Sequence, residues 1–384
     1  MYLPLNEQGK LIYVYAIYIA LVLLNIAAFF SVANIVRHEI ERPRNYQVAL
    51  LHTQIKTAFL LTACISIGLA LFHDILQWKI ETSGIILFAA FLISQQIVDF
   101  FRRSGYVFDG IAGAAKQTLW LYGGRIALIV YFKPDSVDGF LLFMTLPALP
   151  LVLVGIGRYY FLGGEPLQGN ESAGILRKHF TLAKWNIYSA PLRWIGLHLP
   201  VLLVGMLHSV ESAAILGTIR SITTFVNILL EMLETIVPAW LSAKLNHSGK
   251  ALQSATFALL GIGTFIWLLG TFFIWLLGNS AIGYLLGATY ADYTALLYII
   301  WAGSGCYFAG RVVTLHYRMR MNTQLEFYSL AVGMVGFILS IPLITWYGAW
   351  GGAWCLTSTQ IATLGGILMY RRAHLLPTDN NAIN

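Results

Sequence analysis

Four arginines stand where a charge is expensive: Arg125, Arg193, Arg220 and Arg311 each fall inside a run of mainly apolar residues. An ionised side chain at the centre of a bilayer costs at least about 2.5–3.5 kcal/mol on insertion scales, so each needs a reason to be there. A guanidinium stays charged and presents five donors in a planar fork that matches phosphate or carboxylate oxygens. Two roles are open to each arginine. It contacts an anionic substrate, or it ties helices together through carbonyls or a carboxylate. Pro191 and Pro200 bracket Arg193, so a bent helix would present that side chain to a cavity. Arg311 lies within two turns of a helix end, where a long side chain also reaches the interface.

The acids form a smaller group. Glu231 and Glu234 are three residues apart and share a helical face, and Arg220 precedes Glu231 by about three turns. A carboxyl group inside a membrane can carry a proton, which makes these two candidates for ion coupling; pairing with an arginine is their other role. Asp99 lies beside Arg102 and Arg103, where a salt bridge is expected. Cys64, Cys306 and Cys355 are far apart in apolar runs with no metal-ligand spacing, so neither a metal nor a cofactor is expected. No nucleophile, paired acid and base, or GxxxxGK[ST] phosphate loop is present, which argues against an enzyme and against a nucleotide-driven engine in this chain.

The elements that must position these residues follow from composition. Of 384 residues, 58% are hydrophobic and only 11% charged, with a mean hydropathy of +0.70. A soluble domain carries about 25% charged residues to cover its surface. The apolar residues come in runs of about 20, the length that crosses a hydrocarbon core roughly 30 Å thick. Continuously apolar runs indicate helices, since a barrel would show short alternating segments. The reading is an all-α integral membrane protein with eleven helices near 11–36, 55–73, 84–101, 112–132, 138–158, 180–206, 211–242, 252–278, 292–317, 325–346 and 349–371.

Charge then orients the bundle. One set of alternate loops holds Arg37, Arg42, Arg44, Arg102, Arg103, Arg158, Arg177, Lys178, Lys244, Lys250, Arg318, Arg320, Arg371 and Arg372. The other set holds only Lys10, Lys79 and Lys133. The positive-inside rule places the first set, and the C-terminus, in the cytoplasm. The stretch 159–179, rich in glycine and proline, reads as a linker between an N-terminal lobe of five helices (1–158) and a C-terminal lobe of six (180–384). Transporters are commonly built from two repeats, so a twelve-helix form lacking its first helix is expected.

Several segments carry a family resemblance. SAAILGTIRSITTFVNILLEMLETIVPAWLSAKL (212–245) resembles the first helix of the second lobe in Wzx-type polysaccharide flippases of the multidrug/oligosaccharidyl-lipid/polysaccharide exporter superfamily. GYLLGATYADYTALLYIIWAG (283–303) is similar to that family's periplasmic turn, and YGAWGGAWCLTSTQIATLGGILMYRR (347–372) to its last helix. FRRSGYVFDGIAGAAKQTLWLYGGRIAL (101–128) also fits, with Arg125 on the helix after a basic loop. The opening thirty residues look like the family's second helix.

The resemblance implies two lobes around a central cavity and alternating access. It implies an undecaprenyl-pyrophosphate-linked oligosaccharide as substrate, flipped across the bacterial inner membrane. Arg125 and Arg220, then Arg193 and Arg311, match the family's cationic cavity residues. Membrane lipids, a polysaccharide polymerase and a chain-length regulator are the partners it implies, and nucleic acid is not among them. Two rivals remain: a multidrug or small-molecule antiporter of the same superfamily, which would favour acids in its cavity, and a membrane-embedded polymerase, which would need a long periplasmic loop.

Overall fold

The computed structural model describes residues 5–36, 43–72, 82–105, 111–161, 169–209, 211–223, 249–286, 288–320 and 322–374. These form α1 (Leu5–Asn25), a π-turn (Ile26–Phe30), α2 (Ser31–Val36), α3 (Pro43–Phe72), α4 (Thr82–Ser104), α5 (Ile111–Phe132), α6 (Val137–Thr145) and α7 (Ala148–Phe161). There follow α8 (Gly169–Leu207), α9 (211–223), α10 (Gly249–Leu286), α11 (Ala288–Ala291), α12 (Thr294–Met319), α13 (Gln324–Tyr347) and α14 (Ala349–His374). Each of the eleven expected helices has a counterpart, the seventh being described over 211–223 only. Among the described residues, eight helical stretches are long and apolar enough to cross a membrane, from Lys10–Ala33 to Gln324–Tyr347.

Three boundaries differ from the expectation. α3 begins at Pro43, about three turns before residue 55. Proline is pre-set for a first helical turn, and polar Gln47, His52 and Gln54 had hidden the start from a hydropathy reading. The expected fifth helix is two, because Pro147 lacks an N–H to donate and the chain turns at Leu146–Pro147 between α6 and α7. Residues 169–179, expected in the linker, are helical: α8 starts at Gly169, since a charged stretch extends a helix beyond the apolar layer as readily as it forms a loop. α8 also continues through Pro191 and Pro200.

The chain divides into two compact units, Met1–Lys184 and Trp185–Asn384, with α8 running through the division. In the first unit α4 is the hub, packing against α1, α3, α5, α6 and α7. Its Phe88, Phe91 and Leu92 join Val14 and Leu21 of α1, Leu69 of α3 and Val137 and Leu141 of α6 in one buried cluster. In the second unit α13 and α14 pair most extensively, and α12 packs on α14. Lipid tails are as apolar as leucine, so helices in a membrane associate by close packing and polar contacts rather than by leaving water. Gly336 of α13 shows how close: a Cβ there would sit 2.8 Å from the Ser358 carbonyl oxygen of α14. The two helices meet at Gly348, whose φ of +53° and ψ of −119° form a backbone conformation that glycine reaches without a Cβ clash.

Candidate functional site

In the second unit, α12 carries Arg311 and Arg318, seven residues apart and so on one face. The tight connection to α13 brings that face against Glu326, which lies in the first turn of α13, where the helix dipole favours a negative charge. Arg311 Nη1 donates to Glu326 Oε1 at 2.6 Å and Arg318 Nη2 to Oε2 at 2.6 Å. Arg193, from α8, pairs through Nη2 with Oε1. All four side chains are buried. Three guanidinium groups thus converge on one carboxylate.

Beside them is a cavity of about 20 Å³, lined by Arg193, Arg311, Glu326, Tyr307, Gln360 and Thr363 among others. That volume holds about one water molecule.

The first unit is arranged differently. Arg125 of α5 is 4% exposed. Its Nε donates to the Met144 carbonyl at 3.0 Å, and its Nη2 to Oε1 of Gln95 on α4. Met144 stands in the last turn of α6, where backbone carbonyls have no partner inside the helix. The Arg125 guanidinium also lies 5.5 Å from the ring centre of Tyr122, and that of Arg102 lies 5.9 Å from the same ring. Among the described residues, the groups bonded to Arg125 are therefore all neutral. One turn along α4 from Gln95, Asp99 accepts from Arg102 Nη2 at 2.6 Å and from Arg103 Nε at 2.8 Å, the salt bridge the sequence led us to expect. Gln95, Asp99 and Arg102 follow the spacing of one helical face, and that face meets α5.

Of the arginines singled out by sequence, Arg193 and Arg311 come together on Glu326, and Arg125 lies in the other unit. Arg220 is half-buried on α9, close enough to His198 of α8 for its charge to be felt there. Glu231 and Glu234 lie outside the described residues. Two members of the second cluster were missed. Arg318 was read as a cytoplasmic loop charge and Glu326 as the unremarked start of a helix, yet both are buried. The signal was present: two arginines at a spacing of seven, then an acid in the first turn after a tight connection.

No family model matches the chain, and neither does any curated protein sequence. Solved structures do. An outward-facing multidrug resistance MATE family transporter of the MOP superfamily matches at a TM-score of 0.70 and 14% identity, over 96% of this chain and 87% of that one. A MOP superfamily transporter from Pyrococcus furiosus Vc1 matches at 0.68 and 14%, over 96% and 87%. The fold is that of the MATE transporters. For the Pyrococcus furiosus protein, a reverse polarity of the binding pocket is held to suggest a different function within the superfamily. An inward-facing MATE transporter matches at 0.66 and 14%, over 94% and 88%.

Proposed function

We propose that this chain is a transporter that flips an oligosaccharide linked to undecaprenyl pyrophosphate across the bacterial inner membrane by alternating access. The observation that carries the reading is Arg125. It is a permanent cation, buried in a helix of apolar composition, bonded among the described residues only to neutral groups. Neutral acceptors orient a guanidinium without discharging it, so the site favours a negative group brought in from outside. A diphosphate suits that fork, and Tyr122, 41% exposed beside it, offers a ring and a hydroxyl to a sugar. The lipid tail would remain in the bilayer. Basic loops and the C-terminus would face the cytoplasm, where such intermediates are made, and a polymerase with its chain-length regulator would take the product outside.

The second reading is a multidrug antiporter, favoured by the multidrug transporters that share the fold. A cation exporter is best served by acids in its path, whereas the buried charges described here are mainly arginine.

One experiment separates the two. The chromosomal gene is deleted and returned as wild type or as Arg125→Gln, at equal membrane abundance. The proposal expects surface polysaccharide to disappear on deletion, to return with wild type and not with Arg125→Gln, and the lipid-linked intermediate to accumulate on the inner face. Unchanged polysaccharide and intermediate, together with greater sensitivity to cationic drugs, would sink it in favour of the antiporter.

A further inference from the structure

The first helical span has one irregularity. Between α1 and α2, Ile26–Phe30 winds as a π-turn in which the Ser31 N–H reaches back five residues to the Ile26 carbonyl. All five residues of the turn are buried. A π-turn holds one residue more than an α-turn and persists where something outside the helix retains it. Here that is an imidazole. His179 of α8 places Nε2 2.6 Å from the Ala28 carbonyl oxygen, in the middle of the turn, and Nδ1 2.5 Å from the hydroxyl of Tyr46 on α3. A carbonyl only accepts, so Nε2 carries the proton, and in the neutral ring Nδ1 accepts from Tyr46. His179 and Tyr46 are 2% and 1% exposed. Phe29 and Phe180, next to the bonded residues, pack edge to face at 6.0 Å.

Asn25 supplies a second observation. It immediately precedes the turn, is 1% exposed, and has both side-chain polar atoms buried with no hydrogen-bond partner among the described residues. A buried amide left unbonded is costly, and native structures tolerate one mainly where it has another use.

We infer that the π-turn is a two-state latch. His179 holds the extra residue in the turn; when α8 withdraws the imidazole, the segment rewinds as α-helix. Rewinding turns one flank against the other by about 100° and shifts it about 1.5 Å, because that is the share of a single residue in an α-helix. Asn25, at the edge of the turn, is re-aimed and gains the bonds it lacks. The latch lies wholly within the first unit, Met1–Lys184. Its purpose rests on the transport reading; its test does not.

The test is hydrogen exchange read by mass spectrometry on the full chain in lipid nanodiscs. His179→Phe keeps a ring beside Phe180 and removes the hydrogen bonds; Tyr46→Phe removes only the hydroxyl. Without the latch the turn passes more often between its two windings, opening its backbone bonds at each passage. Exchange over residues 26–36 is therefore expected to speed by about tenfold in His179→Phe and about threefold in Tyr46→Phe, with α13 unchanged. Asn25→Leu, which cannot gain bonds on rewinding, is expected to slow exchange there without lowering the melting temperature. If exchange over 26–36 is unaltered in both ring variants, the latch is wrong. If His179→Phe loosens the whole chain, Tyr46→Phe decides. A local rise supports the latch, and no local rise overturns it.

Discussion

Arg125 and Glu326 sit at the centres of the buried charge in their respective units, and their surroundings are opposite. Arg125 is one cation held by a carbonyl, an amide oxygen and a ring. Glu326 is one anion held by three cations. The first arrangement positions a charge and leaves its field available. The second brings charges of both signs together and spends its hydrogen bonds on holding α8, α12 and α13 to one another. Burial is similar in the two places, so burial alone does not tell a binding site from a structural knot; the sign and number of the partners do. The largest consequence falls on Glu326. Glu326→Gln leaves three buried guanidinium groups without their carboxylate, and removing one partner of a buried ion pair costs about 3–5 kcal/mol. A fall in thermal midpoint and in membrane abundance is expected, measured by thermal unfolding in detergent. An unchanged midpoint would show that the cluster is not what joins these helices.

Arg125→Gln tests the other side of the comparison. Its partners are neutral, so their loss strands no buried charge, and stability should change far less than in Glu326→Gln. Function should change more: transport is expected to drop tenfold or more, since a bidentate cation–phosphate contact contributes about 1.5–3 kcal/mol. Flux of the lipid-linked glycan in reconstituted vesicles, read beside the melting temperature, checks both halves. Equal losses of stability and flux would make Arg125 a second structural knot and erase the contrast.

Asp99 sharpens the comparison within a single unit, because it repeats the Glu326 arrangement in smaller form. It holds two arginines, both from its own helix. Asp99→Asn is expected to lower stability by about 1–3 kcal/mol, less than Glu326→Gln, since the bonds join residues of one turn rather than three helices. Comparing midpoints of the two variants at equal salt gives the answer. If Asp99→Asn proves the costlier, tying helices together is not what sets the scale.

How much of this could be read from sequence differs between fold and site. Runs of about twenty apolar residues made the helices legible, because the bilayer allows few alternatives. The starts of α3 and α8 were not, since Gln54 and His179 look like loop or interface residues by hydropathy, yet both are buried. Arg125, Arg193 and Arg311 stood out because a charge inside an apolar run is conspicuous. Arg318 and Glu326 did not, because near a helix end a charge has a cheaper explanation, and only packing shows that this end is buried. The π-turn IAAFF had no signature at all: its sequence suits an α-helix, and a histidine some 150 residues away engages it.

The smallest expected effect tests whether a carboxylate at the edge of the first unit resembles either central group. Glu7, in the first turn of α1, accepts from Lys10 Nζ at 2.6 Å and from the Val137 N–H, at the start of α6, at 3.0 Å. Burial raises its pKa, but the bonds from Lys10 and the Val137 N–H outweigh that and hold it below the ordinary 4.5. A carboxyl whose pKa is lower in the folded than in the unfolded chain stabilises the fold at pH above the unfolded value. That contribution is lost as the pH falls through the folded value. Glu7 is partly exposed, so screening keeps the contribution to a few tenths of a kcal/mol, on the order of a surface pair. Glu7→Gln should therefore lower the melting temperature slightly at pH 7, and the difference from wild type should shrink as the pH is taken below about 4.5. A difference that persisted in acid would place the effect in packing between α1 and α6 instead of in charge. A loss as large as that of Glu326→Gln would mean that the contact with the N-terminus of α6 organises the first unit as the arginine cluster organises the second.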